Sequence, residues 1–193
     1  MDFDLGAAGF CAVILAGGTA ARMGGVDKAS VEHAGRSLLA HAIDALIDAD
    51  EVVVVGKQVP TERPVTFVRE DPPQGGPVAG LLAGVDMLLR RPRTVGVLAV
   101  DMPHVTAATF RRLREGAAGR DGAFLVDASA GRRQLAGVLD AGRLAEVSPG
   151  LEQRHGMPMH RLLDPLSLID VAAVGREAVD VDTWADLRDL RDG

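Results

Sequence analysis

Arg22 and Lys28 lie in one glycine-rich stretch, Leu15-Ala16-Gly17-Gly18-Thr19-Ala20-Ala21-Arg22-Met23-Gly24-Gly25-Val26-Asp27-Lys28. Two positive charges and four glycines in one loop suit a nucleoside triphosphate. Glycine lets the backbone come closer to a ligand than a Cβ permits. The exposed amides then add their own partial charge to that of the cations. An apolar run, residues 11–16, precedes the loop and reads as a buried first strand. The loop is not a Walker A motif, because Ala29 follows Lys28 where Ser or Thr is needed. Nor is it a dinucleotide fingerprint. Gly17-Gly18 has no correctly spaced third glycine, and no acid clearly closes the second strand, residues 52–55.

Three further motifs carry acidic groups. Asp101, in Val100-Asp101-Met102-Pro103, ends a buried run and should emerge at the same sheet edge as the first loop. Facing a triphosphate, its carboxylate would be a natural Mg²⁺ ligand, since that ion takes one or two carboxylates plus phosphate oxygens and water. The plainer reading is a helix cap. Glu70-Asp71-Pro72-Pro73-Gln74-Gly75-Gly76-Pro77-Val78-Ala79-Gly80 reads as a rigid turn entering a helix. Asp71 is placed to accept hydrogen bonds from a ribose or base, unless the turn is purely structural. In Asp180-Val181-Asp182-Thr183, Asp182 is either a second metal ligand or the cap of the last helix.

Other groups are less informative. The five histidines lack metal-ligand spacing, and His41 falls on an apolar helical face. His104 could touch substrate or be solvated, and Arg111-Arg112-Leu113-Arg114 reads as an exposed helix face. Arg132-Arg133-Gln134 either meets an anionic acceptor or marks a surface strand end. No Ser–His–Asp or Cys–His set suggests itself.

The elements that must position these residues alternate. Strands are expected at 12–16, 52–55, 65–68, 95–100, 123–126, 135–139 and 166–171. Helical spacing appears at 38–49, 78–89 and 107–116, with a closing helix at 184–190 capped by Thr183 or Asp182. Strands separated by such helices imply right-handed βαβ units and a mostly parallel sheet covered on both faces. No repeat or low-complexity linker interrupts the pattern, so residues 1–193 are expected to form one domain. Ligands of such sheets bind beyond the carboxyl ends of the strands, at a switch in strand order.

With 3% aromatic residues the core must be built from Val, Leu, Ile and Ala, and few rings remain on which to stack single-stranded bases. A net charge of −6 argues against a nucleic-acid partner, though a locally positive pocket can still take a small anion. The single Cys11 excludes an intrachain disulfide and fits a reducing compartment. An acidic start, Met1-Asp2-Phe3-Asp4, is unlike a secretory signal, and no apolar run is long enough for a membrane span. A cytoplasmic location is expected.

On these residues the chain resembles the molybdenum cofactor guanylyltransferases, the MobA-like members of the nucleotidyltransferase fold family. The likeness rests on Leu15-Ala16-Gly17-Gly18, Arg22-Met23-Gly24-Gly25 and Asp27-Lys28, then Gly76-Pro77-Val78-Ala79-Gly80, Asp101-Met102-Pro103 and Asp182-Thr183. It implies a Rossmann-like three-layer α/β/α fold that binds Mg-GTP and transfers GMP to the terminal phosphate of molybdopterin-bound molybdenum, releasing pyrophosphate. Leu15, Ala16, Gly17, Gly18 and Gly76 would then line the nucleotide, Arg22 and Lys28 would hold its phosphates, and Asp71 would assist its binding. Arg22, Lys28 and Asp101 would carry catalysis. Asp101 would hold Mg²⁺, with Asp182 as a second ligand. Contacts with molybdenum cofactor enzymes or chaperones would follow.

The resemblance also favours GTP, because cytidine-using relatives carry Leu-Ala-Ala-Gly where this chain has Leu15-Ala16-Gly17-Gly18. Two departures stand out. Val55-Gly56-Lys57-Gln58 lacks the Asn that often follows the second strand, and Asp180-Val181-Asp182-Thr183-Trp184 replaces Asn-x-Asn-Thr-Pro. A cytidylyltransferase, a sugar-phosphate nucleotidyltransferase and a nonenzymatic nucleotide-binding regulator remain the rival readings.

Overall fold

Along β1 (Ala8–Leu15) the side chains alternate between two apolar layers, as a strand's period of two requires. Phe10, Ala12 and Ile14 enter one cluster, while Val13 and Leu15 enter the other. A strand buried on both faces needs helices on both faces, and the chain supplies them. The computed structural model describes residues 8–17, 19–20, 26–70 and 75–189.

After β1 come two small ribbons, β2 (Thr19–Ala20) with β3 (Val26–Asp27) and β4 (Glu32–His33) with β5 (Arg36–Ser37). Then follow α1 (Leu38–Ala45), β6 (Glu51–Val55), β7 (Thr66–Val68), α2 (Gly76–Asp86), β8 (Pro92–Ala99) and α3 (Ala107–Gly116). The last part holds β9 (Gly122–Asp127), β10 (Arg132–Asp140), α4 (Ala141–Val147), α5 (Met159–Leu163), β11 (Leu168–Ala172) and α6 (Trp184–Asp189).

Seven strands form one sheet in the order β11-β9-β10-β8-β1-β6-β7. Every pairing is parallel except the two made by β10. Its direction follows from its connection. The turn after β9, where Asp127 accepts hydrogen bonds from Ser129 and Ala130, is too short for a crossover. The expected mostly parallel α/β fold is therefore what the chain adopts. The first cluster joins residues of α1, α3 and α6 to the sheet; the second joins α2, α4 and α5 to its other face.

The helices begin where the sequence offers caps. Ser37 accepts from the Ala40 amide at α1, Thr106 and Thr109 form a reciprocal capping box at α3, and Asp140 accepts from Arg143 at α4. Two helices are shorter than their periodicity suggests. The chain after α1 and after α2 tightens into bonds to the third preceding residue, from Ile47 to Asp44 and from Met87 to Gly84. Glu51 then accepts from the amides of Leu89 and Arg90. Neither α4 nor α5 was legible beforehand, since each spans under two turns and shows no sustained period.

Gly84 lets α2 press onto the sheet. A Cβ there would stand 2.5 Å from Val13 Cγ1. Cys11 is fully buried in β1, where burial and the neighbouring Glu51 and Asp50 carboxylates push its thiol up to about 11. Among the described residues no helix is long and apolar enough to cross a membrane.

Glu177 anchors the loop between β11 and α6. It is 7% exposed and accepts from Thr109 Oγ1 at 2.6 Å, from both Arg112 terminal nitrogens, and from the Val174 amide at 2.8 Å. Burial alone would raise this carboxyl, but the hydrogen bonds outweigh it and hold it below the ordinary glutamate value. A depressed carboxyl stabilises the fold above its unfolded pKa and loses that contribution as pH falls through its folded one. Glu177→Gln is thus expected to cost about 2 kcal/mol at pH 7, and the cost should shrink steadily below the ordinary glutamate value. Chemical denaturation of both proteins across acid pH checks this; a pH-independent difference would refute it.

Candidate active site

The chain switches direction at β1. From β1 it crosses through α1 to β6, then steps outward to β7. It returns through α2 to β8, on the other side of β1. The carboxyl ends of β1 and β8 therefore flank the switch point, where such sheets bind ligands. Three backbone bonds join this edge: Val100 N to Leu15 O, Ala16 N to Val55 O, and Gly56 N to Val68 O.

Lys28 reaches this edge from a short 3-10 helix, Lys28–Ser30. Asp27 caps that helix, accepting from the Ala29 amide at 3.1 Å, and buried Ala29 and Val31 anchor it to the core. The Lys28 ammonium lies 2.9 Å from Asp101 Oδ2 and 2.6 Å from Asp182 Oδ1. Its side chain is only 15% exposed. Burial works against that charge, but the hydrogen bonds it donates to Asp182 and Asp101 outweigh it, so Lys28 is held above its ordinary value and stays protonated.

Asp101 occupies the turn after β8. Burial pushes its carboxyl up, Lys28 pulls it back, and the nearby charges of Asp180 and Asp182 push it up again. The net direction is upward. Asp182 arrives from the far end of the chain, where the Val181 amide bonds to Asp101 O at 2.9 Å. Thr183 and Asp186 form the cap of α6: Thr183 Oγ1 accepts from the Asp186 amide, and Asp186 accepts from Asp182 and Thr183. Asp182 therefore leaves capping to its neighbours and turns its carboxylate to Lys28. The expectation left the cap open between Thr183 and Asp182; the fold gives it to Thr183 with Asp186.

The other site residues fall around the same edge. Leu15 and Ala16 are buried at the end of β1, and Gly17 is exposed beyond them. Gly76 opens α2 at φ 86°, and among the described residues no side chain caps that helix, so its early amides other than Pro77 can face an anion. Gly18, Arg22 and Asp71 lie outside the described residues.

The structure also places the weaker candidates. His41 bonds to His33 O, and the His104 ring packs edge-on against His33 at 5.5 Å. Burial, with Arg176, His33 and His41 nearby, pushes the His104 imidazole down. It is packed rather than solvated. Arg111 pairs with Asp48, Arg112 with Glu177, and Arg114 lies over the Phe10 ring, so this helix face is engaged throughout. Arg133 is tied to Asp170. Among the described residues no three His, Cys, Asp or Glu side chains are arranged to hold a metal. Glu70 opens the third motif, where the sequence assigned it no role; its carboxylate lies against Gly17.

A sheet of this order, with a glycine-bearing loop and an Asp–Lys–Asp cluster at its switch point, defines a nucleotide-handling α/β protein. The chain belongs to the MobA-like NTP transferase domain family, whose model matches residues 12–170. Over 129 residues it is 40% identical to the molybdenum cofactor guanylyltransferase of Rhodopseudomonas palustris (strain BisB5), covering 63% of this chain and 61% of that one. The chain thus spans about three fifths of the length of the curated relatives it matches first. A probable molybdenum cofactor guanylyltransferase of Natronomonas pharaonis is 29% identical over 93% of this chain and 96% of its own. In fold, the chain matches the crystal structure of molybdopterin-guanine dinucleotide biosynthesis protein A from Archaeoglobus fulgidus. There the TM-score is 0.72 at 19% identity, covering 94% and 97% of the two chains.

Proposed function

We propose that this chain, as one nucleotidyltransferase domain over residues 1–193, transfers GMP from GTP to molybdopterin-bound molybdenum and releases pyrophosphate. The observation that carries the proposal is the part-buried Lys28 ammonium held between Asp101 and Asp182 at the switch point. The names of its relatives support the choice of GTP and of the acceptor.

The reaction is an in-line displacement. An acceptor phosphate oxygen bonds to the α-phosphorus while the bond to the β-phosphate's bridging oxygen breaks and pyrophosphate leaves. No general base is required, because a phosphate acceptor is already ionised at neutral pH. Charge grows on the oxygens around the α-phosphorus, and the protein's task is to place positive charge there. Lys28 supplies one such charge and Arg22 is assigned the second. Leu15, Ala16, Gly17 and Gly18 are assigned to line the nucleotide, with Asp71 and Gly76 beside it.

The residues present fit Mg²⁺. Asp101 and Asp182 share the single Lys28 ammonium, and the Asp180 charge acts on Asp101 as well, leaving a negative surplus that a divalent cation would offset. Asp101 and Asp182 offer the hard carboxylate oxygens that this ion prefers, with phosphates and water completing its shell. When bound, the ion would neutralise triphosphate charge and orient the leaving group. A cytoplasmic site of action accords with the single buried thiol.

Pyrophosphate release with magnesium, assayed with GTP, CTP and UTP against molybdopterin and sugar-phosphate acceptors, tests the proposal. GTP with molybdopterin should give the highest rate, and chelating the metal should abolish it. A CTP or UTP preference would transfer the chain to a rival enzyme class. GTP binding without pyrophosphate release from any acceptor would favour a regulator.

A further inference from the structure

Glu70 is a half-buried carboxylate with no assigned task. It follows β7 by two residues, on the sheet edge that carries the candidate nucleotide site. A Cβ added to Gly17 would stand 2.6 Å from Glu70 Oε1 and 3.5 Å from its Cδ. A Cβ added to Gly80 would stand 3.7 Å from Glu70 Cγ and 3.2 Å from Leu15 Cδ2. The stem of Glu70 thus rests near the first turns of α2, and its carboxylate lies against the bare α-carbon of Gly17. Among the described residues that carboxylate has no hydrogen-bond or ion-pair partner. Held in place by packing, such a carboxylate is free to accept from donors that a ligand brings to this edge.

We propose that Glu70 reads the Watson–Crick edge of a guanine base, accepting hydrogen bonds from its N1–H and N2 amino group. This rests on the GTP reading above and adds a residue to it. Guanine alone among the common bases presents two adjacent donors matched to the two oxygens of a carboxylate. Adenine and cytosine turn a ring-nitrogen acceptor toward the same position and would be repelled. Uracil offers one donor between two carbonyls. Gly17 is then part of the same device: any side chain there would displace the Glu70 carboxylate. A site built to pair with substrate donors rejects analogues that lack them, because its own polar group is left unpaired.

Inosine triphosphate isolates the contact, since it keeps the triphosphate, ribose and N1–H but lacks the N2 amine. Calorimetric binding of GTP and ITP to the full chain with magnesium needs no acceptor. The native protein is expected to bind GTP at least about tenfold more tightly than ITP, the order of one charge-assisted hydrogen bond. In Glu70→Gln, which keeps the shape but replaces one acceptor by a donor, the ratio should fall to within about threefold, through loss of GTP affinity. Gly17→Ala should shift the ratio the same way. Both variants should melt close to the native protein, because Glu70 supports no other described group. An unchanged GTP/ITP ratio in Glu70→Gln, with GTP still bound, overturns the role of Glu70 and leaves the GTP reading standing. Failure of the native protein to bind GTP overturns that reading itself.

Discussion

Replacing Lys28 by alanine is expected to lower the rate of pyrophosphate release about a hundredfold at saturating GTP, the usual loss when one charge-stabilising donor is removed. The expectation follows from the placement of the ammonium. It is 15% exposed and gripped by two carboxylates, so its position is set before substrate arrives. A charge that needs no reorganisation stabilises the transition state more than a mobile surface lysine would. The same substitution should also destabilise the fold. Lys28 has its pKa raised, so its charge favours folding below the unfolded value, and that contribution is lost only as pH rises through the folded one. Without it, Asp101 and Asp182 are left facing each other. Kinetics on protein shown to be folded by circular dichroism separate the two effects. Near-native turnover in folded Lys28→Ala would remove the assigned role.

Asp101→Asn should lower turnover by a similar factor, on the order of a hundredfold, yet behave oppositely in stability. The Asp101 carboxyl is raised by burial and by its acidic neighbours. A carboxyl with a raised folded-state pKa favours folding in its protonated form, so its ionisation at neutral pH costs stability. Asparagine keeps an oxygen for Lys28 and removes the unfavourable charge. The variant should therefore be at least as resistant to denaturant as the native protein at pH 7 while being nearly inactive. It should also need more metal to reach its residual maximal rate. Unimpaired turnover, or an unchanged metal requirement, would count against Asp101 as the ligand. A functional group that costs stability is common at active sites, where local rules yield to chemistry.

Much of this was legible from the residues. All seven sheet strands overlap the expected runs; the central β1 and β6 are apolar nearly throughout because both their faces are buried, while the edge strands β7 and β11 are only partly covered. The helices α1, α2 and α3 begin at or near their expected starts, where Ser37, Pro77 and Thr106 mark entry. Their ends were less clear, since the terminal tightening after Ala45 and Asp86 preserves helical spacing while abandoning the helical bond pattern. The Arg111–Arg114 face is exposed at Arg111 and Arg114, as expected, but it is also ion-paired and ring-stacked, because its partners Asp48, Glu177 and Phe10 come from distant parts of the chain.

The sequence by itself determined the parallel α/β class and the sheet edge on which Asp101 emerges. Each depends on local composition, periodicity and turn residues, whose effects act over a few positions. Only the tertiary structure decided that Lys28 meets Asp101 across 73 residues and Asp182 across 154. It also freed Asp182 from capping and laid Glu70 against Gly17. Those meetings arise from the strand order, and strand order is set by the packing of whole layers, which no local pattern encodes.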